Sequence, residues 1–232
     1  MVARRIFLCI SVTFCHMSFG DDINISFLDS LAVSGRVHID GDNFNGIFSP
    51  SKIECWHSDM TYSNKPPLGT VLRSRIIPEV GGDTLWSSMT AAFNGLSSNM
   101  QEMLKGLSAV HDFSHGFQET LSQPEGRKRL KLAIKENPPV THPVINIHPI
   151  TKKFGIYVNE LFTTKITNLP KSESDYLLNF LFNHIKTPEF TCRFNWSKNA
   201  VVIWDNRSTQ HKPINDYFPA SRRLERITIE SP

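Results

Sequence analysis

Short apolar segments with a period of two are the feature that most restricts what this chain can fold into. From Phe190 to Trp196, apolar and polar residues alternate without exception, as expected for a strand that turns one face to the core. Similar strand-like segments occupy residues 154–158, 200–204 and 226–229. They outnumber the helical segments, and their separations suit hairpins and longer crossings. The sequence therefore predicts a mainly β fold with flanking helices (α+β), either a sandwich or a jelly roll.

Two segments have the three- and four-residue apolar spacing of amphipathic helices. The first is predicted over residues 89–107, and the second over residues 172–185, with Ser172 as its N-cap. Residues 21–50 are polar and rich in Gly, Asp and Asn, which predicts loops with a weak strand signal near residues 37–39.

Length and charge indicate the domain organisation and exclude one class of partner. The chain has 232 residues, which suits one domain or at most two small ones, and its 40% hydrophobic content supports a packed interior. A net charge of +3 is too weak a bias for a nucleic-acid-binding surface, and the basic run at residues 127–131 is interpreted as a solvated helix face. We expect one domain over residues 21–232 and no nucleic acid as partner.

The first 20 residues have the pattern of a secretory signal. Two arginines at positions 4 and 5 precede an uncharged, mostly apolar run over residues 6–15, followed by the small residues Ser18 and Gly20. The run is too short to cross a bilayer, which needs about 20 residues, so no membrane span is expected. Two other interpretations stay open, namely a buried first strand or helix, and an N-terminus wrongly assembled in the gene model.

The first candidate for chemistry is the tripeptide from His57 to Asp59. On a strand, positions i and i+2 face the same way, so the imidazole and the carboxylate would converge on one point. Two histidines and one carboxylate on one side of a metal form the facial triad of non-haem Fe(II) oxygenases. His38 and Asp40 repeat the same spacing, however, so the motif alone also fits a turn or an ordinary hydrogen-bonded pair.

A second imidazole is available at His211, which follows a buried apolar strand and a polar turn. Ligands of a metal in a barrel mouth lie at such strand ends. A buried histidine whose hydrogen bonds are satisfied is the simpler interpretation of this residue taken alone.

The third candidate is the pair Arg222 and Arg226 near the C-terminus. Because they are an even number of residues apart, an extended segment directs both to one face, whereas Arg223 and Glu225 point away. Their Cα atoms would be about 13 Å apart, which predicts two separate anion sites rather than one clamp.

Several further short motifs accompany these residues. They lie in order along residues 54–229: Trp56 to Tyr62, Pro66-Pro67, Gly81 to Trp86, His111 to Phe113, His142 to Val144, Tyr157 to Asn159, Phe162 to Thr164 and Trp204 to Ile229. In these segments the chain resembles the taurine dioxygenase family of Fe(II)- and 2-oxoglutarate-dependent oxygenases. The resemblance implies a double-stranded β-helix (jelly-roll) core.

The resemblance also assigns roles to individual residues. It implies that His57, Asp59 and His211 bind Fe(II). Thr84 and Arg222 match the family's contacts to the distal carboxylate of 2-oxoglutarate. Arg226 matches the arginine that holds the anionic head of the prime substrate, and the aromatic residues matching that pocket are Phe117 and Phe162. Four further histidines, His111, His115, His142 and His148, are interpreted as structural or exposed.

The N-terminal part departs from the family pattern. The portion before His57 looks shortened, Asp40 falls where the family has a histidine for the sulfonate, and Ile53 replaces an asparagine of taurine-specific members if the alignment is ungapped. An acidic Asp40 would repel a sulfonate. Iron and 2-oxoglutarate are therefore better supported than taurine.

The implied reaction is hydroxylation of a small sulfonate such as taurine with O2, giving sulfite and an aldehyde, with succinate and CO2 from 2-oxoglutarate. Two alternatives stay open: the same chemistry on another small anion, such as a sulfate ester or an aryloxy acid, and a catalytically silent metal-binding homologue. The resemblance implies a cytoplasmic protein, in tension with the signal-like residues 1–20. A homo-oligomer is compatible with the sequence.

Overall fold

The structure, a computed structural model, describes residues 5–9, 15–18, 37–40 and 55–231. Short strands dominate these residues. The strands are β1 (Arg5–Cys9), β2 (Cys15–Ser18), β3 (Val37–Asp40), β4 (Gly69–Ile76), β5 (Thr84–Ser88), β6 (Ser108–His111), β7 (Val140–Pro143), β8 (Ile145–Ile147), β9 (Phe154–Ile156), β10 (Thr163–Ile166), β11 (Thr191–Phe194), β12 (Val201–Asp205), β13 (Thr209–Pro213) and β14 (Arg223–Ile229). The helices are α1 (Met89–Asn94), α2 (Ser98–Lys105), α3 (Phe113–Gly116), α4 (Gln118–Ser122), α5 (Pro124–Glu136) and α6 (Lys171–His184), with a 3-10 turn at Pro188–Phe190.

The largest sheet has the strand order β2-β1-β12-β4-β14-β3. Its β1 runs parallel to β12, whereas β4 pairs antiparallel with both β12 and β14. A second sheet has β5 between β11 and β13, again antiparallel. The smaller sheets are β10-β6-β7 and β8-β9. The prediction of a mainly β fold with flanking helices is confirmed.

Two apolar clusters hold these layers together. One joins the largest sheet to the sheet around β5, and its buried side chains include Trp86, Phe194, Val202, Trp204 and Leu224. The other packs α1 and α6 against β8 and β9. Because the first cluster draws side chains from both sheets, it fixes how β5 and β11 of one sheet pack on β12 and β14 of the other.

The predicted helix over residues 89–107 is wrong as one element, because the chain forms two helices there. Gly95 ends α1, and the Ser97 hydroxyl accepts a hydrogen bond from the Met100 amide as the N-cap of α2. A glycine followed by a capping serine ends one helix and starts another. In α6, Pro170 stands at the N-cap without a side-chain hydrogen bond, so the prediction of Ser172 at that place is also wrong.

Other predictions have different outcomes. The strand signal near residues 37–39 is β3, and residues 127–131 lie in α5, which buries no side chain. Phe190 belongs to the 3-10 turn rather than to β11. The interpretation of residues 1–20 stays a prediction, since most of them lie outside the described residues. Among the described helices, none has the length and apolar character needed to cross a membrane.

Candidate metal centre and neighbouring anion sites

Backbone pairing brings His57 and His211 together. His211 lies in the middle of β13, and its backbone forms an antiparallel bridge with His57 through N–O contacts of 3.0 and 2.8 Å. The Nδ1 of His57 bonds the Cys55 carbonyl oxygen at 3.0 Å, which directs Nε2 toward the site. His211 packs on the Trp204 ring at a centroid distance of 4.8 Å.

Asp59 is held by its backbone and by one of its two carboxylate oxygens. The buried Asn206 side chain accepts from the Asp59 amide at 2.7 Å and donates to the Asp59 carbonyl oxygen at 2.8 Å. The Thr70 hydroxyl donates to Oδ2 at 2.8 Å. Oδ1 therefore remains to face the two histidines.

The three side chains form a buried cluster. Asp59 Oδ1 lies 4.0 Å from His57 Nε2 and 3.9 Å from His211 Nε2, and the ligand atoms all lie within 4.8 Å of one another. These separations are too long for hydrogen bonds. Buried polar atoms that aim at one point without pairing with each other are what a metal site presents, so the residues fit an ion.

Electrostatics favour the protonation states that metal binding requires. Burial lowers the pKa of His57, and burial followed by the charge of His57 lowers the pKa of His211 to about 3, so both imidazoles are neutral near pH 7. Burial alone would raise the pKa of Asp59, but His211, Arg226, His57 and the Thr70 hydroxyl bring it below its usual value. With neutral histidines, Arg226 is the charge that acts on this carboxylate at neutral pH. Neutral imidazoles and an ionised carboxylate are the ligating forms.

Two neutral imidazoles and one carboxylate define a class of site. This donor set, with the other coordination positions left to substrate and oxygen, is that of mononuclear non-haem Fe(II) oxygenases. The structure brings together His57, Asp59 and His211 as the sequence predicted.

Thr84 and Arg222 lie together at a second point. The Thr84 hydroxyl oxygen accepts from Arg222 Nη2 at 3.2 Å. Thr84 follows Gly81 and Gly82, whose φ angles of 81° and 72° favour glycine. A Cβ on Gly82 would lie 3.0 Å from the Arg222 side chain, so the double glycine lets this arginine approach Thr84.

Arg226 lies at the metal cluster itself. Its Nη1 is 3.5 Å from Asp59 Oδ1. The preceding residue, Glu225, pairs instead with Arg75 at 3.2 Å. The two arginines therefore lie at different points, and Glu225 faces away from the cluster. That they bind two separate anions stays a prediction.

The aromatic residues form a chain of ring contacts beside the cluster. Phe162 contacts Tyr62 at 4.8 Å, Tyr62 contacts Phe113 at 5.0 Å, and Phe113 contacts Phe117 at 4.5 Å. Burial raises the pKa of Tyr62 to about 12, with Arg226 and Asp59 close enough to act on it as charges. Tyr62 thus connects the two predicted aromatic residues, Phe117 and Phe162, to the cluster.

Four functional neighbours were not predicted from the sequence. Thr70 and Asn206 fix Asp59, Tyr62 lies close enough to Asp59 and Arg226 to feel their charges, and Trp196 donates to Thr84. Asn206 follows the strand that precedes His211, which is a signal of position only. The sequence contained no signal for Thr70.

Of the four histidines interpreted as structural or exposed, three have hydrogen-bond partners that explain their positions. His111 is buried and bonds the Thr61 hydroxyl at 3.0 Å, His142 bonds the Ser63 carbonyl at 3.0 Å, and His148 pairs with Asp205 at 2.9 Å. His115 is partly exposed and contacts Gln118 at 3.1 Å. Each of the first three lies in a hydrogen-bonded arrangement that explains it without a metal.

The chain belongs to the taurine catabolism dioxygenase TauD, TfdA family, whose model matches residues 16–228. This confirms the predicted resemblance. The chain is 35% identical over 182 residues to an alkylsulfatase of Acinetobacter baylyi, and the match covers 77% of this chain and 57% of the relative. It is 37% identical over 197 residues to an alpha-ketoglutarate-dependent sulfonate dioxygenase of Saccharomyces cerevisiae, covering 83% and 46%. The chain spans about half the length of these relatives.

The fold is similar to that of a solved taurine dioxygenase from Burkholderia xenovorans. The TM-score is 0.68 at 30% sequence identity, and the match covers 84% of this chain and 62% of the other. Fe(II), 2-oxoglutarate and O2 are thus the cofactor and cosubstrates implied by the family, and the His57, Asp59 and His211 cluster fits the metal.

The predicted departures at the N-terminal side have two outcomes. The backbone register of β3 on β14 puts His38 opposite Arg226 and Asp40 opposite Leu224. The sequence comparison had aligned Asp40 with the family histidine, whereas this backbone register places His38 opposite Arg226. Ile53 lies outside the described residues.

Proposed function

We propose that this protein is an Fe(II)- and 2-oxoglutarate-dependent dioxygenase that hydroxylates a small sulfonate such as taurine. The observation that carries the proposal is the cluster of His57, Asp59 and His211 with Arg226 at 3.5 Å from the carboxylate. It places a fixed positive charge beside a facial metal site, so an anionic substrate would have one carbon close to the metal.

Different residues would bind the metal, orient the substrate and exclude water. His57 Nε2, His211 Nε2 and Asp59 Oδ1 would hold the iron. The chemistry that ferrous iron supplies when bound is activation of O2 coupled to oxidative decarboxylation of 2-oxoglutarate. Arg226 orients the substrate anion, and Tyr62 with its neighbouring rings keeps water from the reacting carbon.

The proposed overall reaction balances without a further reductant. One oxygen atom enters succinate as 2-oxoglutarate loses CO2, and the other is inserted into a C–H bond of the substrate carbon that bears the sulfonate, which makes that carbon an alcohol. The C–S bond then breaks and its electron pair leaves with sulfite, while the hydroxyl group loses its proton and becomes the carbonyl group of an aldehyde. Arg222 and Thr84 would bind the distal carboxylate of 2-oxoglutarate.

A sulfate ester is the second candidate substrate. The reason is that relatives include the alkylsulfatase and, at 30% identity over 177 residues, an alpha-ketoglutarate-dependent sulfate ester dioxygenase of Pseudomonas putida. An aryloxy acid is supported less, by a 28% identical 2,4-dichlorophenoxyacetate dioxygenase of Burkholderia. The same arginine would bind any of these anions, so the pocket around Tyr62 decides among them.

The test is formation of succinate from 2-oxoglutarate with Fe(II) and ascorbate, with each anion added in turn. We expect taurine or another sulfonate to stimulate succinate and to release sulfite. Stimulation by an alkyl sulfate with release of sulfate would favour the second candidate. No stimulation by any of the three anions, although iron binds, would favour a silent homologue.

Two finer points belong to the same proposal. The sheet around β5 and the largest sheet would form the two layers of a double-stranded β-helix, because they share the cluster of Trp86, Trp204 and Leu224. The cytosol is the proposed location, since Fe(II) and 2-oxoglutarate are available there. Sequencing the mature N-terminus from cells tests whether residues 1–20 are removed.

A further inference from the structure

The hydroxyl of Thr84 accepts two hydrogen bonds. Trp196 Nε1 donates to its oxygen at 3.0 Å, and Arg222 Nη2 donates at 3.2 Å. The Thr84 side chain is buried. A hydroxyl oxygen has two lone pairs and one hydrogen, so both lone pairs are occupied here. The hydrogen must therefore be donated to a third group.

No protein group in the described part of the chain accepts this hydrogen. Within residues 55–231, no carbonyl or carboxylate oxygen accepts from the Thr84 hydroxyl. A buried donor without an acceptor costs free energy, and an anion beside Arg222 would remove that cost. The direction of the hydroxyl thus matches a negatively charged ligand at the same guanidinium.

Trp196 lies against both Thr84 and Arg222. Its indole N–H holds the Thr84 oxygen, and its ring lies 5.9 Å from the Arg222 guanidinium carbon, which also has the Tyr217 ring at 6.0 Å. Trp196 is itself buried. A rigid, buried indole can therefore keep the hydroxyl and the guanidinium in a fixed relation before any ligand arrives.

We propose that Trp196 is a positioning residue for 2-oxoglutarate, acting through Thr84. By occupying one lone pair of the hydroxyl oxygen, while Arg222 occupies the other, the indole N–H commits the Thr84 hydrogen to the distal carboxylate. Without the indole N–H, the Thr84 hydroxyl can rotate and donate its hydrogen to another acceptor. This inference rests on the proposed function, because it assumes that 2-oxoglutarate is the anion at Arg222.

The test is calorimetric binding of 2-oxoglutarate to the Fe(II)-loaded protein under anaerobic conditions, where no turnover consumes it. Trp196→Phe keeps an aromatic ring near Arg222 and removes the N–H together with the rest of the five-membered ring, a loss of size that a second Trp→Phe change must control for. We expect its affinity to fall about 3- to 10-fold, and that of Thr84→Val about 10-fold or more. In the Thr84→Val background, Trp196→Phe should have no further effect, because the hydroxyl through which it acts is gone.

Two controls separate positioning from packing. Trp86→Phe is matched, since Trp86 lies 6.4 Å from Trp196 and its Nε1 has no hydrogen-bond partner within residues 55–231. The affinity of this variant for 2-oxoglutarate should stay within about 2-fold of the wild-type value, because the substitution removes no hydrogen bond. The second control is 2-oxobutyrate, a keto acid without a distal carboxylate, whose binding Trp196→Phe should leave unchanged.

The outcomes are distinguishable. Wild-type protein that binds iron but not 2-oxoglutarate would overturn the proposed function, and this inference with it. Wild-type binding together with equal affinity in Trp196→Phe, an equal loss in Trp86→Phe, or additive losses in the double variant would overturn only the role of Trp196.

Discussion

His57 and His211 face each other across one antiparallel bridge, with ring centroids 4.2 Å apart. The backbone therefore fixes the spacing of two ligands before any metal binds. His57 takes its ring orientation from the Cys55 carbonyl, whereas His211 Nδ1 has no hydrogen-bond partner within residues 55–231. The orientation of His211 depends instead on packing against Trp204 and on the metal.

Removing either imidazole should abolish stable metal binding. For His211→Ala we expect the dissociation constant of Fe(II) to rise by at least about 100-fold, because the loss of an outer-shell partner alone costs 10–100-fold. Anaerobic titration with Fe(II) measures it. His115→Ala, a change at a partly exposed histidine outside the cluster, should bind Fe(II) like the wild type. Unchanged binding in His211→Ala would remove His211 from the ligand set.

Thr70 should raise the affinity for Fe(II) by orienting the Asp59 carboxylate. Thr70→Val keeps the shape of the side chain but leaves Oδ2 of Asp59 buried without its donor at 2.8 Å. We expect Fe(II) affinity to fall about 10-fold and the unfolding free energy to drop by about 1 to 2 kcal/mol. Fe(II) titration and urea unfolding measure the two effects.

The matched control is Thr164→Val. Thr164 lies in β10, and its hydroxyl donates to the Val110 carbonyl at 3.2 Å. Thr164 makes no contact with Asp59, so iron affinity should stay at the wild-type value. An equal loss of affinity in both variants would mean that lost stability, rather than the carboxylate, explains the effect.

The family motifs carried the prediction of the ligand residues, because the strand assumed for His57 and Asp59 is absent from the structure. His57 forms an isolated β-bridge and Asp59 lies in a turn, although both side chains reach the same point. His211 does lie on a strand, β13, which follows the buried strand β12. The four-residue spacing of Arg222 and Arg226 predicted separate positions, and the two guanidinium groups do lie at different points. These residues carry their signals locally, in their spacing or in the family motifs.

The supporting residues could not be predicted in this way. Asn206 bonds both backbone groups of Asp59, and Trp196 reaches Thr84 across the sheet, so each depends on contacts between distant segments. The helix break near Gly95 was missed because apolar spacing continued through it, although glycine and a capping serine outweigh that pattern. Periodicity reports which face is buried, and it does not report where two segments meet.

Arg226 should bind the anionic prime substrate without binding 2-oxoglutarate. For Arg226→Gln we expect the Michaelis constant for the stimulating sulfonate or sulfate to rise about 10- to 100-fold, the range of a lost charge-assisted hydrogen bond. The affinity for 2-oxoglutarate should change little. Steady-state succinate formation at varied anion concentration gives the first value, and anaerobic calorimetry gives the second.

Arg75→Gln is the matched control for charge. Arg75 lies on β4 and pairs with Glu225, on the face of β14 opposite to Arg226. Its loss should leave the Michaelis constant unchanged. If Arg75→Gln and Arg226→Gln raise it equally, the effect is one of net charge, and Arg226 has no specific role.

Buried His111 should make the protein less stable in acid. Burial, followed by the nearby His142, lowers the pKa of His111 to about 3, whereas the unfolded chain titrates near pH 6.5. Between these values the unfolded state binds a proton that the folded state refuses, so the unfolding free energy falls as pH decreases from about 6.5 toward 3. One such histidine contributes a slope of up to about 1.4 kcal/mol per pH unit. Above pH 6.5 it contributes no slope.

Urea unfolding at pH 7.5 and pH 5.0 measures this effect in His111→Gln and in the wild type. Both proteins are kept iron-free in chelating buffer, since burial also lowers the pKa of His57 and His211, which add equal slopes to each. The glutamine can still bond the Thr61 hydroxyl that His111 contacts at 3.0 Å, and it carries no titrating group. We expect the variant to lose less stability than the wild type between the two pH values. Equal losses would show that His111 is protonated in the folded protein as readily as in the unfolded chain.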